Sequence, residues 1–317
     1  MHPVRIAVVG AGSFGRNHLR VLRQSEGAKL VAVVDTDPAR AREAAEQFGC
    51  EAVPEVRSLA GMVDAAVVAT PTVTHAGIGC ALFDQGIDAL IEKPISESLE
   101  SARRLVEAAA RGGRILQVGH LERFNPAVAA LRRVVRRPLF FEIHRLSLFS
   151  PRSLDVDVVL DLMIHDLDIV LSLTGRMPEE IRAAGISILS EKVDIANVRL
   201  AFPGGCIANL TASRVSTERV RKIRLFQPRQ YLSLDYARQD LNAFEVSEEN
   251  RIGFQSIAVE KDEPLKLELE SFLRSVQTRE RPEVTGEDGQ RALEVALENL
   301  DRIEAHARLV TQSLATS

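Results

Sequence analysis

Three groups of residues in this chain have types and spacings suited to chemistry. Val4-Arg5-Ile6-Ala7-Val8-Val9 runs directly into Gly10-Ala11-Gly12-Ser13-Phe14-Gly15, and Asp35 closes the next apolar run. A buried strand, a Gly-x-Gly-x-x-Gly turn, an amphipathic helix and an acidic residue about 20 positions on form a dinucleotide-binding fingerprint in its proper context. Gly10 permits the tight turn, Gly12 lets the backbone approach a pyrophosphate, and Gly15 lets the helix pack closely on the strand. The helix N-terminus offers free N–H groups and positive dipole to phosphate. A carboxylate at Asp35 suits the adenosine ribose hydroxyls and repels a 2′-phosphate, which favours NAD, while Arg40 and Arg42 on the next helix leave NADP open.

The second group is Glu92-Lys93-Pro94, at the end of an apolar run. Ligands of nucleotide-binding sheets lie at the carboxyl ends of the strands, so a lysine held between a strand end and a proline points into that crevice. The alternative is a surface lysine where proline ends the strand. The third is Asp161-Leu162-Met163-Ile164-His165-Asp166-Leu167-Asp168. Asp161 and His165 are four apart and share a helix face. Histidine titrates near neutral pH and can take a proton from an alcohol as its hydride leaves. An isolated pair of this kind is more often a helix-surface ion pair.

The elements that must position these groups fall into two regions. From residue 1 to 119 the apolar runs Arg5–Val9, Lys29–Val34, Ala65–Thr70, Ala89–Glu92 and Ile115–Val118 alternate with helical stretches at Phe14–Gln24, Pro38–Phe48, His75–Gln85 and Leu99–Arg111. This pattern predicts a doubly wound α/β Rossmann domain with a parallel sheet. From 120 to 317 one strong helix, Val156–Leu173, precedes strand-like runs at Glu180–Ser190, Asn197–Phe202, Cys206–Ala212, Lys222–Phe226 and Gln230–Leu234, with Pro203-Gly204-Gly205 as a hairpin turn. An α+β domain with a mainly antiparallel, open-faced sheet is expected there. Two closing helices, Leu265–Thr278 and Asp288–Ser313, can pack back on the first domain. An open sheet face must be covered, so a homodimer or homotetramer is expected.

At 317 residues, 45% hydrophobic and 26% charged, the chain suits two globular domains with real cores. A net charge of −4 gives no reason to expect nucleic acid or an anionic membrane as partner. Arg132-Arg133 and Arg136-Arg137 sit at helical spacing and read as a solvated face. Cys50, Cys80 and Cys206 show neither Cys-x-x-Cys nor zinc-ligand spacing, so no metal and a reducing compartment are expected. The first strand begins by residue 4 and no run approaches 18 apolar residues, which predicts a cytoplasmic location.

Taken together, the glycine turn, Ala69-Thr70-Pro71 with His75, Glu92-Lys93-Pro94, Val118-Gly119-His120 leading to Arg123-Phe124-Asn125-Pro126, and Asp161 with His165 resemble the Gfo/Idh/MocA oxidoreductases. Glu270-Ser271-Phe272-Leu273, Arg281-Pro282-Glu283-Val284 and Gly286-Glu287-Asp288-Gly289 extend the resemblance to the tail. It implies NAD(P)-dependent oxidation or reduction of a sugar or polyol hydroxyl without a metal. It further implies that Lys93 contacts the reacting hydroxyl, that His165 is the general acid/base, and that Asp161 orients substrate or assists proton transfer. It places Gly10, Gly12, Ser13, Phe14, Gly15, Asp35, Thr36, Ala69, Thr70, Pro71, His75, Glu92, Lys93 and Arg123 at the cofactor. His120 either lies near the nicotinamide or caps a domain boundary.

Residues 119–126 and 161–168 look most like the nucleotide-sugar branch, the UDP-N-acetylglucosamine 3-dehydrogenases. The glycine-rich turn common before the family's second-domain helix is replaced by Asp155-Val156-Asp157-Val158-Val159-Leu160, and Met163 stands where a small residue is frequent. Substrate shape therefore does not transfer from inositol enzymes. Arg145, Arg152, Arg214, Arg219, Arg221, Lys222 and Arg224 could supply a diphosphate site, although solvated strand faces and interface pairs are the commoner use of such residues. The rival expectations are a free sugar or inositol dehydrogenase, a reductase of an unsaturated ring, and a non-catalytic NAD-sensing protein.

Overall fold

The computed structural model describes residues 2–149 and 156–315, with side chains to residue 309. Arg152 and Asp155 lie outside the described residues. Two compact units divide the chain: residues up to Phe124 with Glu263–Gln290, and Asn125–Asp262 with the residues from Arg291 on.

In the first unit β1 (Val4–Val9), β2 (Ala28–Val34), β3 (Glu51–Val53), β4 (Ala65–Val68), β5 (Asp88–Glu92) and β6 (Leu116–Gly119) form a sheet in the order β3-β2-β1-β4-β5-β6. Every pairing in it is parallel. The order reverses between β1 and β4, so the crevice for a ligand opens beyond the carboxyl ends of those two strands. The three-residue β3 was not among the expected runs, being too short to show a period. The helices α1 (Ser13–Gln24), α2 (Pro38–Phe48), α3 (His75–Asp84) and α4 (Leu99–Gly112) follow the predicted stretches closely. Local chemistry fixes their ends: the Asp37 side chain caps α2 through the N–H groups of Ala39 and Arg40, and Gly49 ends it at φ +70°. The helix α7 (Pro264–Thr278) places Leu269, Phe272 and Leu273 in the same core as Ile6, Val8, Leu19 and Leu22.

The second unit holds α5 (Pro126–Val134), β7 (Phe140–Leu148), α6 (Ile164–Thr174), β8 (Glu180–Ile186), β9 (Ile195–Ala201), β10 (Ile207–Ser216), β11 (Val220–Gln227), β12 (Gln230–Asp235), β13 (Asp240–Val246) and β14 (Ile252–Ile257). Its eight strands run β14-β13-β12-β11-β7-β10-β9-β8, antiparallel except where β7 meets β10. The hairpin at Pro203–Gly205 forms as expected, with Gly204 and Gly205 at φ +90° and +88°. β7, β13, β14 and α5 are additions to the sequence reading. Alternation sorts the faces: Phe141, Ile143, Leu210, Ile223 and Leu225 point into the core, with α5 and α6 against them, while Glu142, Arg224 and Phe226 point outward. The last helix, α8 (Gly286–Ala315), contributes Ala292, Val295, Ala296 and Ile303 to this core.

The core of the second unit contains a fully buried cation. Arg145 points inward from β7 and makes paired bonds to Asp166 on α6, Nε to Oδ2 at 2.7 Å and Nη2 to Oδ1 at 2.8 Å. Tyr236 donates its hydroxyl to the same carboxylate at 3.0 Å and lies under the guanidinium at 4.8 Å. Such a group is stable only while complete, since removing one partner leaves a buried charge at a cost of about 3–5 kcal/mol. Arg145→Ala should therefore lose about that much stability in urea unfolding, and Arg145→Met with Asp166→Leu should regain most of it. A loss below about 1 kcal/mol for Arg145→Ala would show that the pair does not govern this core.

Candidate active site

The glycine turn builds a cradle whose dimensions follow from what a side chain would meet. A Cβ at Gly15 would lie 1.7 Å from the carbonyl oxygen of Gly10, and one at Gly10, where φ is +99°, would lie 2.4 Å from that of Ala69. A Cβ at Gly12 would meet nothing within 4 Å, so this is the open side of the turn. No side chain caps the start of α1 and no acid occupies its first turn, which leaves the N–H groups and dipole for an anion. Ser13 and Phe14 are exposed beside it. Asp35 is held with one oxygen on the Ala11 N–H at 2.8 Å and the other on the Asp37 N–H at 2.9 Å, and Thr36 beside it is exposed. Arg40 leans toward Asp35 and Asp37, at 3.5 Å from each. Turn, helix end and anchored carboxylate together fit a dinucleotide.

Beyond β4, Ala69, Thr70 and Pro71 form the crevice lip, with the Thr70 and Thr74 hydroxyls 2.7 Å apart. His75 is buried, and its ring nitrogens lie 2.9 Å from the Thr70 and Pro94 carbonyl oxygens. It therefore braces the loops after β4 and β5, and its bearing on a ligand runs through Thr70 and Lys93. Lys93 is partly exposed directly after β5 and precedes a cis proline. Glu92 is largely buried behind it, bonded to His18 at 2.7 Å. His120 and Arg123 are also buried, and Arg123 approaches Asp288 at 3.9 Å.

In the second unit the predicted helix over Val156–Leu173 starts later and is interrupted. Val159–Met163 forms a π turn, with the Ile164 N–H bonded five residues back to Val159, before α6 begins. Widened turns of this kind are frequent at functional sites. Asp161 lies within it and His165 on the first turn of α6, both partly exposed among buried Met163, Ile164, Asp166 and Leu167. The approach to the turn is pinned to the β8–β9 hairpin: Val193 donates to Asp157 at 2.9 Å, Val158 donates to Val193 at 2.9 Å, and Arg214 bonds the Val156 carbonyl.

The basic residues considered for a diphosphate are mostly engaged. Arg145 holds Asp166, Arg214 approaches Asp194 at 3.8 Å, Lys222 approaches Asp235 at 3.9 Å, and Arg224 holds Glu142 at 3.1 Å. Burial pushes the Cys50 and Cys206 thiols up to about 11, which makes both poor nucleophiles. Among the described residues no group of acidic, histidine and cysteine side chains is arranged to hold a metal, and no helix is long and apolar enough to cross a membrane. Sequence reasoning passed over His18 and Glu268. Each is a polar residue on the apolar stripe of its helix, beside Gly15, Leu19 and Leu22 in one case and Leu269, Phe272 and Leu273 in the other.

A glycine cradle at the switch point of a parallel sheet, joined in one chain to a mainly antiparallel unit, defines an oxidoreductase with an NAD-binding Rossmann domain. The chain belongs to the GFO/IDH/MocA oxidoreductase family: residues 4–120 match its NAD-binding Rossmann fold and residues 139–229 its C-terminal domain. It is similar to UDP-N-acetylglucosamine 3-dehydrogenase from Acidithiobacillus ferrooxidans, at 35% identity over 95% of this chain and 98% of that one. A solved structure of that enzyme superposes with a TM-score of 0.91 over 96% of this chain and 99% of that one. Myo-inositol 2-dehydrogenase from Thermotoga maritima is 28% identical over 92% of this chain and 93% of its own.

Because Asp35 is anchored by two N–H groups and Arg40 is turned toward two carboxylates, NAD(H) should bind at least about tenfold more tightly than NADP(H), or about 1.4 kcal/mol. Nicotinamide fluorescence titration checks this. Asp35→Ala should erase the preference and Gly15→Ala should abolish binding of either form; a preference unchanged in Asp35→Ala would remove Asp35 from the ribose site.

Proposed function

We propose that this chain is an NAD-dependent dehydrogenase that oxidises the ring 3-hydroxyl of a UDP-linked N-acetylhexosamine, and that it works in the cytoplasm. The similarity to UDP-N-acetylglucosamine 3-dehydrogenase along nearly the whole of both chains carries this reading. NAD bound in the cradle would accept the hydride. His165 takes the hydroxyl proton, Lys93 donates a hydrogen bond to the same oxygen so that it is already polarised, and Asp161 orients the substrate. Lys93, Asp161 and His165 together are more than a protein that only senses the cofactor would need. Remote binding of the UDP portion would position the reacting carbon, so its removal should lower turnover as well as affinity.

The test follows NADH formation from UDP-N-acetylglucosamine, with a glutamate-dependent aminotransferase to trap the ketone, beside free N-acetylglucosamine and myo-inositol. Lys93→Ala and His165→Ala should each lower turnover by roughly 10²–10⁴-fold while cofactor affinity changes little. Faster turnover of a free compound would favour the sugar or inositol dehydrogenase reading, for which the full-length similarity to myo-inositol 2-dehydrogenase is the supporting observation.

We further propose that the outer face of the second sheet joins two copies of the chain. Phe140, Phe226, Tyr231, Phe244 and Phe254 form a continuous aromatic ladder across five strands, with ring centroids 4.8–5.9 Å apart. Phe226 and Phe254 are exposed, and an apolar row of this extent is seldom left in water. A second copy offers the same row, so the surface complements itself about a two-fold axis. Light scattering should give a dimer or tetramer, and Phe226→Glu with Phe254→Glu should give a smaller species; a wild-type monomer would overturn the assignment.

A further inference from the structure

Behind Lys93 the first unit buries more charge than a dinucleotide cradle requires. The His18 Nε2 atom on α1 lies 2.7 Å from Glu92 Oε1, while Glu92 Oε2 accepts the Lys93 N–H at 3.3 Å. On the neighbouring β6, a Cβ at Gly119 would lie 3.0 Å from that same oxygen, so the missing side chain makes room for the carboxylate. Glu268 on α7 is fully buried, and neither of its carboxyl oxygens has a hydrogen-bond partner. Gln117 on β6 donates to the Glu268 backbone carbonyl at 3.1 Å and not to its carboxyl.

An ionised carboxylate without partners is among the costliest groups to bury, and the charge on Glu92 acts on this one. Burial, reinforced by Glu92, pushes the Glu268 carboxyl well above the ordinary carboxylate range. Burial also pushes Glu92 up, but the hydrogen bond and charge of His18, then the charge and N–H of Lys93, outweigh it and hold Glu92 below that range. Two carboxyls driven apart in this way keep one ionised and the other protonated.

We propose that His18, Glu92 and Glu268 form a buried clamp for Lys93, in which a single negative charge, carried by Glu92, sits at the root of the lysine and holds it as an oriented ammonium. Glu92 is a positioning residue that acts through Lys93, and Glu268 is the proton-bearing neighbour that keeps the clamp at one negative charge. The inference rests on the reading of Lys93 as the residue that contacts the reacting hydroxyl. His18 on α1 and the Lys93 N–H after β5 bond Glu92, Gln117 on β6 bonds the Glu268 carbonyl, and buried Glu122 and Arg123 lie on the turn packed against α7.

Steady-state kinetics against pH, with UDP-N-acetylglucosamine saturating and NAD varied up to saturation, test it on wild type, Glu92→Gln and Lys93→Ala. Glu92→Gln should lower kcat at least about tenfold with the KM for NAD little changed. Its alkaline limb should move to lower pH by about half a unit or more, because the ammonium has lost its negative neighbour. A wild-type kcat and alkaline limb in Glu92→Gln, with Lys93→Ala inactive, would overturn the clamp alone. Full activity in Lys93→Ala would overturn the reading of Lys93 and the clamp with it. Should Glu92→Gln not fold, infrared spectra of the folded enzyme at neutral pH decide: a protonated-carboxyl band should be present in wild type and lost in Glu268→Gln. Its absence from wild type would overturn the proposal.

Discussion

The first unit depends on one backbone contact, the approach of Gly15 at the start of α1 to the carbonyl of Gly10 at the end of β1. A Cβ there would lie 1.7 Å from the oxygen, so no side chain can separate the helix from the strand. That proximity aims the helix N-terminus along the crevice beyond β1 and β4, where an anion gains both free N–H groups and the dipole. It also sets the depth of everything further along the helix. His18, three residues on and therefore on the same face, is carried to Glu92, while Leu19 and Leu22 reach the core that α7 shares.

The same contact explains why cofactor and lysine are positioned together. Asp35 reaches back to the Ala11 N–H inside the glycine turn, so the carboxylate proposed for a ribose also buttresses the turn proposed for a pyrophosphate. Gly10 abuts Ala69, and Thr70 next to it is tied through His75 to Pro94. A displacement at the turn is thereby transmitted to the loop after β4 and from there to Lys93. Close-packed interiors pass on such shifts because they have little free volume to absorb them.

Much of this was legible in the sequence because it rests on backbone geometry. The glycine spacing, the strand–helix alternation and the Pro203–Gly205 hairpin each follow from conformations that few residue types allow. The fourteen-residue α4 and the eleven-residue α2 have strong periods and clear caps, and their limits were readable to within a residue. The three-residue β3 and the π turn at Val159–Met163 have no period to read. The buried polar groups were hidden for another reason. His18, Glu268 and Arg145 occupy core-facing positions of an apolar pattern, where a charged residue is usually taken as a break in the pattern. The partners of His18 and Arg145, Glu92 and Asp166, are distant in sequence, so only the fold shows that they are paired.

The two units use buried charge in the same way. In the first, Glu92 at the end of β5 immediately precedes Lys93 and is held by His18 from a helix. In the second, Asp166 immediately follows His165 and is held by Arg145 from a strand. Replacing such pairs by apolar side chains is often neutral or stabilising, so stability alone gives little reason to keep them. What a salt-bridged carboxylate offers is direction: its two oxygens accept along fixed lines, and a hydrogen-bonded partner on another element fixes the backbone that bears it. A side chain one residue away inherits that fixed backbone while remaining exposed enough to meet a ligand. Precision at the proposed lysine and histidine would thus come from a neighbour one residue away, and in both units that neighbour is an acid held by a buried basic residue.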